Sequence, residues 1–178
     1  MKFFLSSSLI YLRPWQDEDI DLLFKGINDP DVRETLFTYR PKTKEELMEE
    51  MKKDLSSEKN ILLTICECTS NQPVGITAFY RIDYISRAAI FFLSLYDSTK
   101  WNRGYGSEAT KLMIDYAFNI LNLNRIQLHV STENPKAISI YEKSGFIIEG
   151  KLREAMYHNN RYVDFNVMSI IRSDFYKK

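Results

Sequence analysis

The sequence predicts a mixed α/β domain in two halves: an antiparallel strand meander, then a strand–helix–strand–helix half around a mixed sheet. Three observations carry this. Residues 61–68 and 74–82 are apolar runs of strand length, split by the turn Ser70-Asn71-Gln72-Pro73 as a hairpin requires. A third run, 88–96, is apolar at nearly every position, the pattern of a central strand covered on both faces. Directly after it the period becomes helical, with Ala109, Leu112, Met113, Tyr116, Ala117, Ile120 and Leu121 on one face of 107–121.

The other elements follow in order. Residues 9–12 read as a strand stopped at Arg13-Pro14. Residues 17–27 carry Ile20, Leu23, Phe24 and Ile27 at helical spacing, and Asn28-Asp29-Pro30 ends that helix. Thr43 caps a second helix over 43–55, with Glu46 reaching back and Leu47, Met48 and Met51 as its apolar stripe. Residues 125–130 form a strand, 135–144 a helix closed by a left-handed Gly145, 146–149 a strand start, and 162–172 the last strand. With 178 residues and no linker-like segment, one domain is expected over 1–178.

Composition narrows the function classes. The 24 basic and 24 acidic residues cancel, so no global charge attracts nucleic acid or an anionic membrane. No apolar run reaches the length of about 18 residues needed for a membrane-spanning helix. Residues 1–10 are interrupted by Ser6, Ser7 and Ser8 and read as a lead-in to the first strand rather than a signal peptide; a cytoplasmic location is expected. Cys66 and Cys68 share one strand face and have no second ligand pair, which predicts two buried, reduced thiols and no metal.

Two constellations carry chemistry. Arg103-Gly104-Tyr105-Gly106-Ser107-Glu108 joins the apolar strand to the strongest helix. A helix start offers unpaired N–H groups and partial positive charge to a phosphate, and the glycines let it approach the backbone. The spacing is neither the dinucleotide fingerprint nor a P-loop. In Asn134-Pro135-Lys136-Ala137-Ile138-Ser139-Ile140-Tyr141, Asn134 takes the cap position while Ala137, Ile140 and Tyr141 share a face. On those grounds alone, Tyr141 reads first as a core aromatic, as most helix-face aromatics are.

Together the two segments resemble the GNAT superfamily of N-acetyltransferases. Trp101-Asn102-Arg103-Gly104-Tyr105-Gly106 matches its Gln/Arg-x-x-Gly-x-Gly/Ala motif apart from Trp101, and Asn134 to Phe146 matches its Asn-x-x-Ala-x-x-x-Tyr-x-x-x-Gly-Phe motif without a gap. The resemblance implies a GNAT-like fold with a splayed central strand pair and acetyl-CoA as co-substrate. It implies that a bulged strand presents the amides around Leu93 and Leu95 to the pantetheine arm and the thioester carbonyl. Arg103, Gly104, Tyr105, Gly106 and Ser107 would hold the pyrophosphate, and Asn134 and Ala137 the pantetheine chain. Tyr141 would face the coenzyme sulfur as general acid or hydrogen-bond donor. The acceptor wedge is expected between the third-last and second-last strands.

The base and the acceptor stay open. His129 suits proton abstraction, directly or through water, but reads as well as a packing residue. Glu133 is a weaker candidate, and His158 is expected exposed in a hairpin turn. Glu34, Glu67 and Asp83 are expected to flank the cleft without assigned roles. Trp101 is similar to the ribosomal-protein N-terminal acetyltransferase branch, which implies a protein N-terminal α-amine. Residues 122–146 and 149–168 are similar to bacterial spermidine acetyltransferases, which implies a polyamine. Against that, Thr38-Tyr39-Arg40-Pro41-Lys42 has two cations where those relatives carry acidic and aromatic residues. Another small amine is the third option, and a non-catalytic acyl-CoA-binding module is the rival of another class. Phe37, Tyr39 and Tyr157 are expected to be exposed, on a homodimer face or an acceptor cleft.

Overall fold

The computed structural model describes residues 3–177. Strands β1 (Leu5–Ser6) and β2 (Ile10–Pro14) lead into α1 (Ile20–Ile27), α2 (Pro30–Leu36) and α3 (Lys44–Leu55). The meander β3 (Ile61–Glu67), β4 (Pro73–Asp83) and β5 (Ala88–Leu95) follows. Then come α4 (Tyr105–Asp115), β6 (Arg125–Ser131), α5 (Pro135–Ser144), β7 (Ile147–His158), β8 (Arg161–Ile171) and α6 (Arg172–Phe175). One eight-stranded sheet results, in the order β1-β2-β3-β4-β5-β6-β8-β7, antiparallel except where β5 meets β6.

Strand alternation sends side chains to two cores. On one face Leu23, Val32, Leu47 and Met51 of the first three helices pack on Ile76, Ala78 and Tyr96. On the other, Ala109, Met113, Phe118 and Tyr141 pack on Phe79, Phe91, Ile126 and Leu128. Neighbours Phe91 and Phe92 thus face opposite cores.

The sequence reading misses α2 because it takes Pro30 as a terminator. Proline has no N–H to leave unpaired at a first helical position, and there it starts the helix. Asp29 caps it, its side chain accepting from the amides of Asp31 (2.9 Å) and Val32 (3.1 Å). α4 begins two residues earlier than expected and ends in a wider π turn at Tyr116–Ile120. β7 runs for twelve residues, where periodicity marked only its start; it is an edge strand exposed along almost its whole length, so no buried face writes an alternation into it. Cys66 is buried as expected, but Cys68 lies just past β3 and is half exposed.

Gly26 lets α1 lie close on the sheet. A Cβ there would stand 2.5 Å from both the Cβ and the carbonyl oxygen of Tyr96. Gly26→Ala should therefore destabilise the fold by about 1–3 kcal/mol through overpacking, although alanine is the better helix former. A lower urea midpoint at unchanged slope would show this; a raised midpoint would contradict it.

The parallel contact holds only at Ala88↔Arg125, Ala89↔Ile126 and Ile90↔Gln127. Beyond Ile90 the strands diverge, β5 staying on β4 and β6 on β8. The wedge therefore opens between β5 and β6, not between the third-last and second-last strands, β6 and β7, which are held apart by β8 pairing antiparallel with both. The expected bulge in β5 is absent as well. β4 and β5 keep one register from Tyr80↔Ile90 to Gly75↔Leu95, and the irregularity falls at Tyr80/Asp83.

Candidate active site

Between the diverging ends of β5 and β6 lies a cleft of about 580 Å³. Divergence leaves backbone groups without strand partners. The Tyr96 amide donates to the Val74 carbonyl (3.0 Å), so by alternation Ser94 and Phe92 also turn their amides to β4. Leu93 and Leu95 turn theirs toward the space that β6 has vacated. The Leu95 carbonyl accepts from Trp101 Nε1 at 3.2 Å, which ties the loop after β5 to the strand.

That loop delivers α4. Gly104 is its N-cap at φ +87°, a conformation that disfavours any side chain. The Glu108 amide makes the bond to the Gly104 carbonyl (3.0 Å), so the amides of Tyr105, Gly106 and Ser107 precede the helical ladder. A Cβ on Gly106 would meet only Ile140 at 3.6 Å and Leu93 at 3.8 Å, both residues of the cleft wall. Packing therefore does not demand glycine here; a side chain would instead occupy the cleft. These are the features that a diphosphate and a pantetheine arm require, and the residues fit coenzyme A.

Tyr105 also lines the cleft, and its hydroxyl bonds Glu67. Glu67 accepts as well from Ser70 Oγ (2.6 Å) and Lys100 Nζ (2.9 Å), and these donors, with Ser70 the strongest, hold its carboxyl down at about 2. Arg103 is exposed at the rim and is not part of the cleft wall.

α5 supplies the opposite wall. Asn134 caps it through Oδ1, which accepts from the Ala137 amide at 3.0 Å and leaves the side-chain NH₂ available. Tyr141 is 8% exposed, edge-on to Phe91 with ring centroids 6.2 Å apart. Burial pushes its phenol up to about 12, and among the described residues nothing hydrogen-bonds its hydroxyl. Leu93, Leu95, Gly104, Tyr105, Gly106, Ser107, His129, Asn134, Ala137 and Tyr141 thus share one cleft; of the expected site residues only Arg103 stands outside it.

The face toward α1–α3 carries residues the sequence reading misses. These are Thr35 and Leu36 at the end of α2 and Phe165 on β8, which line the cleft together with Phe37, a residue expected on a homodimer face or an acceptor cleft. Phe37 is half-buried, not exposed, with its ring 4.6 Å from His158 and 5.2 Å from Phe165. His158 is likewise covered rather than exposed: Nε2 lies 2.8 Å from Glu34 Oε2, which also takes Asn159 Nδ2 at 2.9 Å. Glu133 pairs with Arg161 at 2.8 Å. Asp83 does not flank the cleft; it closes the β4–β5 turn through Ile85, Ser86 and the Ser86 hydroxyl, at the opposite end of the strands.

A wedge that cuts through a sheet lets a long thioester enter from one face and its acceptor from the other, the layout of a coenzyme A-dependent acyltransferase. The chain belongs to the acetyltransferase (GNAT) domain family, whose model matches residues 10–147, and it is an N-acetyltransferase with acetyl-CoA as donor. It is 30% identical over 169 residues to a spermidine N(1)-acetyltransferase of Vibrio cholerae, covering 95% of this chain and 96% of that one. A crystal structure of spermidine N-acetyltransferase from Vibrio cholerae in complex with CoA and spermine superposes with a TM-score of 0.87 at 29% identity, covering 96% and 99% of the two chains. A dodecameric structure of spermidine N-acetyltransferase from the same species, described as an intermediate state, superposes with a TM-score of 0.81 at 29% identity, covering 95% and 97%.

Proposed function

We propose that the chain, as a single acetyltransferase domain over 1–178, moves an acetyl group from acetyl-CoA to a small primary amine by direct attack. The observation that carries this is the unpartnered Tyr141 hydroxyl in the same cleft as the glycine-led start of α4. Gly104 to Ser107 would take the pyrophosphate, with Arg103 free to swing in from the rim. The Leu93 and Leu95 amides and the Asn134 NH₂ would take the pantetheine arm, and Ala137 would pack beside it. An amide of β5 would also polarise the thioester carbonyl.

The acceptor arrives as an ammonium and loses a proton to His129, directly or through water, since His129 lines the cleft. Its lone pair then forms the C–N bond, giving a tetrahedral intermediate. The C–S bond breaks, the nitrogen sheds a second proton, and the sulfur leaves as thiolate. A phenol near 12 would lose free energy by giving its proton outright to a thiolate near 8.5. Tyr141 therefore acts as a hydrogen-bond donor to the sulfur, and the thiol proton comes ultimately from the ammonium. One acetamide, one thiol and one released proton balance the reaction.

A polyamine acceptor is the second reading, supported by the names of the relatives. A protein N-terminal amine has less support, because Trp101 is engaged with the Leu95 carbonyl as part of the wall. No described helix is long and apolar enough to cross a membrane, and a cytoplasmic site of action belongs to this reading. So does assembly into a homodimer or larger. Purified protein with acetyl-CoA and a thiol-reactive dye should release thiol only when a primary amine is present. Tight coenzyme binding without turnover on any amine would favour a non-catalytic binding module.

A further inference from the structure

Resting on that transferase reading, we infer that the acceptor is an arylalkyl or similarly apolar amine with a single positive charge, not a polycation. β5 and β6 sort their side chains by face. Phe91, Leu128 and Val130 join the core under α4 and α5. Phe92 and Trp101 pack on the α1–α3 side, and by alternation His129 turns to that side too. The acceptor chamber is thus walled by Leu36, Phe37, Phe92, Trp101, His129 and Phe165. Four of these six are aromatic, and among the described lining residues of the whole cleft none is Asp or Glu.

The nearby carboxylates are committed elsewhere. Glu34 is taken by His158 and Asn159, Glu133 by Arg161, and Glu67 by Tyr105, Ser70 and Lys100 beneath the start of α4. On the loop before α3 the charges are cations, the exposed Arg40 bound to Glu46 (2.9 Å) and the partly buried Lys42 bound to Glu50 (2.7 Å). Aromatic faces can hold one ammonium. A polyamine would bring further charges against a wall that offers them no carboxylate, and desolvation on its aromatic faces would penalise each of them. The same desolvation on binding lowers the ammonium pKa of a monoamine and eases its deprotonation before attack. A flat apolar body also suits rings already set at tilted contact distances.

The test compares kcat/KM for phenethylamine, tryptamine and spermidine at saturating acetyl-CoA. The arylalkyl amines are expected to exceed spermidine at least tenfold. Phe165→Ala should lower the phenethylamine value about tenfold while the KM for acetyl-CoA stays within twofold. Leu36→Glu, at a partly exposed wall position, places a carboxylate in the chamber and should move preference toward spermidine. Spermidine equal to or better than the aryl amines on the unaltered protein overturns the inference and leaves acetyl transfer standing. Coenzyme binding with no turnover of any of the three overturns both.

Discussion

Tyr141→Phe should lower kcat about 100-fold while the KM for acetyl-CoA changes less than twofold. The size follows from removing one donor aimed at developing charge in a water-poor site. The split between the two constants follows from timing. A thioester sulfur accepts hydrogen bonds poorly, and a thiolate accepts them well, so the phenol stabilises departure more than binding. Folding should be almost untouched: the ring keeps its contacts with Phe91 and Phe146, and the hydroxyl has no described protein partner to orphan. Because burial holds the phenol near 12, the alkaline limb of the wild-type pH profile below that value should not report Tyr141. Steady-state kinetics with a fixed amine, alongside a melting curve, checks the statement. Equal loss of activity and coenzyme affinity, or a marked fall in melting temperature, would make Tyr141 a structural residue.

The donor half of this site is legible in the sequence because its chemistry is local. Gly104 must be left-handed, the amides of 105–107 follow from any helix start, and Tyr141 sits one helical turn from Ala137 on a face fixed by Asn134 and Gly145. Short-range spacing encodes all of that. The acceptor half is assembled from distant segments. Phe37 meets Phe165 and His158 only because α2 exists, and α2 depends on reading Asp29-Pro30 as a start. Once that dipeptide is read as a stop, Thr35 and Leu36 cannot be placed at the cleft, and Phe37 gets no fixed position. The position of the wedge is lost for a related reason. Parallel pairing over three residues, followed by separation, leaves no mark in the composition of β5 or β6.

Loss of Asp19 should cost about 3 kcal/mol, a large share of the stability of a domain this size. Asp19 is 2% exposed, and its carboxylate takes both nitrogens of Arg13 at 2.7 Å, Thr64 Oγ1 at 2.7 Å and the Gln16 amide at 3.0 Å. It thereby joins the turn before α1 to β2 and β3. Asp19→Ala would leave the buried Thr64 hydroxyl and the Gln16 amide unpaired and Arg13 without its counter-charge. The Arg13 side chain is 18% exposed and can recover some water, which keeps the cost at the low end for a broken buried pair. Burial by itself would raise the Asp19 carboxyl, but the bonds from Arg13, Thr64 and Gln16 outweigh it and hold the carboxyl below the usual range. A depressed folded-state pKa means that the unfolded chain binds the proton first. The contribution is therefore complete above the unfolded value of about 3.9 and disappears as pH falls through the folded one. Urea unfolding of wild type and Asp19→Ala should differ by the full amount at pH 7, with the gap narrowing below pH 4. A gap that stays constant into acid would assign the loss to packing and not to the charge.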